Sequence, residues 1–141
     1  MESKIKTIGI FPNKGISNID LRMDKMEVHK NIGIPFVVKE NSCYLKEAYL
    51  NFNLVLEYND YKVSNIEFAR PIINDYKILL YDIEIFKVNV HDFIQKLMSQ
   101  YHILFDSENI KDSSLFECKE LGMNFWRTYE EREYFEAISI Y

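Results

Sequence analysis

The sequence predicts an α+β fold made of two tandem repeats, each a helix followed by antiparallel strands, with the helices on one face of the sheet. Three observations carry this. Lys46-Glu47-Ala48-Tyr49-Leu50-Asn51-Phe52 returns as Lys119-Glu120-Leu121-Gly122-Met123-Asn124-Phe125, an offset of 73 residues, and internal repetition governs architecture wherever it occurs. In front of each copy a capping residue opens a helical pattern, Asp24 with Glu27 and Asn89 with Asp92, the two caps lying 65 residues apart. Behind each copy stands a strand-like segment, residues 63–68 and 135–140. The repeats span about 5–71 and 77–141 within a single domain, and their only seam is the stretch 71–75. A unit of that size buries too little apolar surface alone, so the halves are expected to pack together.

Taken in order, residues 5–11 read as an opening strand, ended by the turn Pro12-Asn13-Lys14-Gly15. Ile19, Leu21 and Met23 alternate with polar residues and lead into a first helix over 25–32. Asp24 caps it, Gly33 stops it and Pro35 prevents its continuation. Phe36-Val37-Val38 is a short β-branched strand. Residues 49–57 read as one strand in which Phe52, Leu54 and Leu56 face the core. Tyr58-Asn59-Asp60-Tyr61 is a hairpin turn, and the chain returns through 62–69. The second half begins with the strand 77–81 and continues through Ile83, Ile85 and Val88. Its helix has an apolar face of Val90, Phe93, Ile94, Leu97, Met98 and Tyr101. The polar stretch 106–114 is the loop that accounts for the extra spacing of the second copy, and a hairpin of 123–129 and 133–141 closes the chain. Phe52 and Phe125 are expected at equivalent core positions.

Composition narrows the function. The chain is 48% hydrophobic and 15% aromatic, that of a globular protein rather than a disordered one. A net charge of −5 excludes a basic stripe for nucleic acid. Between 106 and 136 nine acids (Asp106, Glu108, Asp112, Glu117, Glu120, Glu130, Glu131, Glu133, Glu136) face four bases. Such a run is either a solvated surface or one complementary to a basic partner. Without an apolar leader or a span-length segment, the protein is expected to be soluble and cytoplasmic, with no membrane partner. Cys43 and Cys118 follow the repeat and read as neighbouring buried free thiols.

Catalytic signatures are missing. His29, His91 and His102 lack metal-ligand spacing, and four glycines make no phosphate-cradling loop. No catalytic residue, metal or cofactor is therefore expected, and the chain reads as a binding protein rather than an enzyme. The open sheet face carries that role, because Tyr and Trp are enriched at binding hot spots and acids steer a basic partner. The candidate partner-binding residues are Tyr58, Asp60 and Tyr61 on the first hairpin with Trp126, Tyr129, Glu130, Glu131 and Glu133 on the second.

The run Gly15-Ile16-Ser17-Asn18-Ile19-Asp20-Leu21-Arg22-Met23-Asp24-Lys25-Met26-Glu27-Val28, followed by Ile32-Gly33-Ile34-Pro35, resembles the opening of helix-plus-antiparallel-sheet domains of the β-lactamase inhibitor protein and SmpA type. Arg22 stands where that pattern commonly has Gly. The segments 120–127 and 134–141 resemble the C-terminal ends of small bacterial cytosolic proteins from toxin-immunity loci. These resemblances imply an immunity or inhibitor protein whose sheet surface binds and neutralises a cognate toxin domain, a basic nuclease being one such partner. The alternative is a small-molecule or metabolite-binding module using the concave sheet face or the groove between repeats. The sequence leaves a homodimer open.

Overall fold

The computed structural model describes residues 6–42, 44–50, 53–71, 76–105, 114–128 and 133–141. Strand β1 (Lys6–Phe11) buries Ile8 and Ile10 on its inward face. Two short strands follow, β2 (Gly15–Ile16) and β3 (Ile19–Asp20). A Cβ at Gly15, whose φ is 145°, would lie 2.3 Å from the carbonyl oxygen of Ile19, so only glycine permits this close pairing. The expected alternation through Leu21 and Met23 stops early, because Arg22 takes φ 70° and turns the chain into the helix.

Helix α1 (Lys25–Ile32) has the expected limits. The side chain of Asp24 accepts from Met26 N–H at 2.9 Å, and Gly33, at φ 92°, donates its N–H to the His29 carbonyl. The predicted strand 49–57 is instead two strands, β5 (Tyr44–Tyr49) and β6 (Leu54–Asn59), separated by a turn in which Asn53 N–H returns to the Leu50 carbonyl. Asn53 adopts φ 48°, a conformation that asparagine tolerates and a continuous strand does not. Before them lies β4 (Val37–Asn41), exposed along its whole length. β7 (Lys62–Ala69) follows β6 through a two-residue turn.

In the second half β8 (Tyr76–Leu80) and β9 (Ile83–Glu84) precede α2 (Val90–Gln100). Asn89 caps α2 by accepting from Asp92 N–H at 2.8 Å. Val90, Phe93, Ile94 and Leu97 are buried as expected, whereas Met98 is exposed. β10 (Leu115–Cys118), β11 (Met123–Trp126) and β12 (Ala137–Ile140) complete the chain.

The protein is α+β, with two helices and two mostly antiparallel sheets among the described residues, where one sheet was expected. The smaller runs β3-β2-β1-β8-β9 and the larger β10-β11-β12-β7-β6-β5-β4. Each half contributes to both. β1 pairs with β8 in parallel, Ile8 beside Ile78, and β7 pairs with β12 antiparallel, Ile66 beside Ile140. One face of the large sheet is a carpet of buried side chains, with Phe116, Phe125, Ile138, Phe68 and Leu54 in successive strands. Both helices touch this face, α1 through His29 against Glu47 and α2 through Phe93, whose ring lies 5.2 Å from that of Phe125. Phe125 also meets Phe135 at 5.3 Å and Phe105 at 5.8 Å, placing it in the middle of an aromatic cluster. Its expected counterpart Phe52 lies outside the described residues.

The repeated motif does not occupy equivalent elements. Lys46 and Glu47 sit inside β5, whereas Lys119 and Glu120 form the turn after β10. Cys118 is buried, its Sγ–H donating to the Leu104 carbonyl oxygen at 3.5 Å. Cys43, expected beside it, lies outside the described residues, as does most of the predicted loop 106–114.

Candidate functional site

The large sheet turns its second face away from both helices. Strand pairing lays out its rows: Leu115, Trp126, Ala137 and Ala69 in one; Glu117, Asn124, Ser139, Glu67, Val55, Ala48 and Val37 in the next; Asn65, Glu57, Lys46 and Lys39 in the third. Alternation dictates this division, since every inward neighbour in β5, β6 and β7 is buried and these residues lie between them. Six interstrand spacings of about 4.8 Å make the face about 29 Å wide. Its charge changes sign across the sheet, from Glu117, Glu67 and Glu57 to Lys46 and Lys39, with Lys46 Nζ 3.5 Å from Glu57 Oε1 where the two meet.

The β6–β7 turn stands at one end of this face. Asp60 and Tyr61 both have positive φ, 53° and 60°, the handedness that lets a two-residue loop follow the twist of its strands. Tyr61 is 56% exposed, and Lys25 Nζ lies 5.8 Å from the centre of its ring. Glu40, Asn41 and Tyr44 of the neighbouring β4–β5 end join Asp60 and Tyr61 around a depression of about 280 Å³. Tyr44 donates to Glu57 at 3.4 Å on the same rim.

Tyr58, expected as an anchor on this hairpin, is instead 3% exposed and points into the core. It continues the inward series Leu54, Leu56, Tyr58, so the alternation that placed the leucines inside also places the tyrosine there. Its hydroxyl donates to Glu47 Oε1 at 2.6 Å.

The second predicted hairpin lies elsewhere. Trp126 is half-buried on the open face, between Leu115 and Ala137. Glu133 is exposed, and its carbonyl accepts from Val90 N–H at the start of α2. Tyr129, Glu130 and Glu131 lie outside the described residues. Ala137 pairs with Ala69 at the far end of β7, while Asp60 and Tyr61 precede Lys62 at its near end. Seven residue steps at about 3.3 Å separate them by about 23 Å. Tyr61 and Trp126 therefore lie toward opposite ends of one face rather than in a joint patch.

No family model, curated protein or solved structure matches this chain. Function must be read from its own chemistry. Among the described residues no group of three His, Cys, Asp or Glu side chains is placed to hold a metal ion, and no helix is long and apolar enough to cross a membrane.

One polar cluster escaped sequence reasoning. Glu47, 1% exposed, accepts from Tyr58 and, at 3.3 Å, from Tyr49 at Oε1, while His29 Nε2–H donates to Oε2 at 2.6 Å. Burial, and then the adjacent carboxylate, push both phenols well above the ordinary tyrosine range. Three donors satisfy the carboxylate, and the His29 bond ties α1 to the sheet. The position was legible in principle: Leu45, Glu47 and Tyr49 alternate, and a charge between two inward residues must be paired.

Proposed function

We propose that this chain is an immunity or inhibitor protein, not an enzyme, that binds a cognate protein toxin through the open face of its large sheet and the Asp60–Tyr61 end of that face. The observation that carries this reading is the face turned away from both helices: it presents Trp126, Leu115, Val55 and Val37 among charged side chains, while Ser139 and the Asn124 Oδ1 near its middle are closed off. Apolar anchors within a charged surround are the composition of a protein-recognition surface. Tyr61 adds to it. A bulky residue at positive φ opposes local stability, and holding a half-exposed ring there serves contact rather than packing. The overall charge of −5 favours a basic partner, such as a nuclease domain, and steers its approach.

The test is to express this chain with each open reading frame that neighbours its gene, score growth rescue of any toxic product, and titrate that product calorimetrically. Wild-type protein is expected to restore growth, and Trp126→Ala and Tyr61→Ala each to weaken binding by about 30-fold, the loss of a hot-spot contact of about 2 kcal/mol. Unchanged affinity in both variants would overturn the assignment of this face.

A further inference from the structure

A second cavity lies at the seam between the halves. Where β7 gives way to β8, a cavity of about 350 Å³ is lined by Arg70, Lys77, Glu84, Phe86, Lys87 and Tyr134, with Tyr76 and Ile78 beside them. This volume lies within the range of small-ligand pockets. Three cations meet one carboxylate there, in a protein whose net charge is −5. Glu84 divides itself between Lys77 and Lys87, each ammonium 3.5 Å from one of its oxygens, so neither is neutralised by a carboxylate of its own.

Arg70 is the fixed element. Its backbone N–H donates to the Glu136 carbonyl at 2.8 Å and its carbonyl accepts from Asn53 at 3.0 Å. Its guanidinium lies 5.3 Å from the centre of the Tyr134 ring. The charge is thus held over an aromatic face, which keeps the guanidinium at the wall of the cavity. Arg70 Nε is buried and has no hydrogen-bond partner among the described residues. A buried guanidinium donor without an acceptor is costly, but this nitrogen is closed to a water-sized group, so a ligand in the cavity is met by the rest of the guanidinium and by the lysines.

We propose that this seam pocket binds a small oxyanion, a phosphate or carboxylate carried on a flat apolar body, with Arg70 and the two lysines holding the anion and Phe86 and Tyr134 flanking the body. Lys77 and Lys87 supply the long-range attraction, and Arg70 supplies the directional bonds. This is the chemistry of a metabolite site and is independent of toxin binding at the open face.

Phenyl phosphate and benzoate, titrated against the intact protein by calorimetry and amide chemical-shift mapping, distinguish the two anions, and benzyl alcohol serves as the neutral control. Saturable binding of either anion is expected, centred on Arg70 and Lys87 and weakening with salt. Arg70→Gln is expected to lower affinity by about tenfold, the loss of one charge-assisted bond, and Lys87→Gln by a smaller factor. If Arg70→Gln fails to fold, Lys87→Gln and Lys77→Gln decide, because both lysines are partly exposed. Absence of saturable binding by both anions, equal binding of benzyl alcohol, or unchanged affinity in the variants would overturn the site.

Discussion

At the scale of single residues, Glu47 organises more of the protein than its place in a repeated Lys-Glu pair indicates. Its carboxylate holds Tyr58, Tyr49 and His29 together beneath the sheet. The tyrosines translate this into pH dependence. Their folded-state pKa values lie above the ordinary value of 10.0, so the folded state keeps both phenols neutral where the unfolded chain ionises them. Stability from this source is full below pH 10 and declines as pH rises beyond it. Tyr58→Phe is expected to cost about 1–2 kcal/mol at pH 7, where Glu47 loses one of its two shortest hydrogen bonds, and to flatten the decline between pH 9 and 11 in urea titrations. An alkaline slope equal to that of the wild type would show that the buried phenol does not titrate on unfolding. The sequence contained the burial of Tyr58 in its alternation with Leu54 and Leu56. Aromatic residues beside a turn are chosen for contact as often as for packing, and composition alone does not separate the two.

At the scale of elements, what was legible was what is locally determined. Both helices begin at the capping residues read from the sequence, because a cap is an interaction between residues two or three apart. The β6–β7 turn was likewise legible, whereas the break between β5 and β6 was not. Its sequence Leu50-Asn51-Phe52-Asn53 continues a strand-like alternation, and Asn53 is left-handed where a continuous strand would be extended. The Lys-Glu match marked a strand in one place and a turn in the other, since two charged residues suit any solvated position. The hairpin itself is open to test. Replacing Asp60 and Tyr61 with Asn and Gly, the pair best suited to positive φ, is expected to stabilise the fold by about 1 kcal/mol while removing the exposed ring. Higher stability with weaker partner binding, measured by denaturant unfolding and titration, would identify Tyr61 as a residue kept for function. A destabilised variant would show that the ring's contact with Lys25 outweighs the backbone strain.

At the scale of the whole molecule, the halves are interleaved. β1 and β8 join in the middle of the small sheet, and β7 and β12 join inside the large one. The sequence supported α+β composition and the packing of halves together, but not the parallel β1–β8 pair, whose partners lie 70 residues apart in the register Lys6 to Tyr76. Nothing local encodes such a pairing. The candidate surface followed the same division, with the open face readable from alternation and the distance between its hairpins fixed only by strand order. Fragments 1–71 and 72–141 are therefore expected to be unfolded separately by circular dichroism, each having lost the neighbour of two sheet-forming strands, and to regain native signal when mixed. A fragment that folds cooperatively alone would mean that the halves are autonomous units.

The bare edge strand β4 has a consequence for handling. All five of its residues are exposed, and among the described residues no further strand lies beyond Val37 and Val38. Lys39 and Glu40 are the only charges on that strand to discourage another edge from docking. In a crowded solution the colloidal lifetime of this protein is thus set less by the strength of its core than by how well two adjacent charges guard one short ribbon.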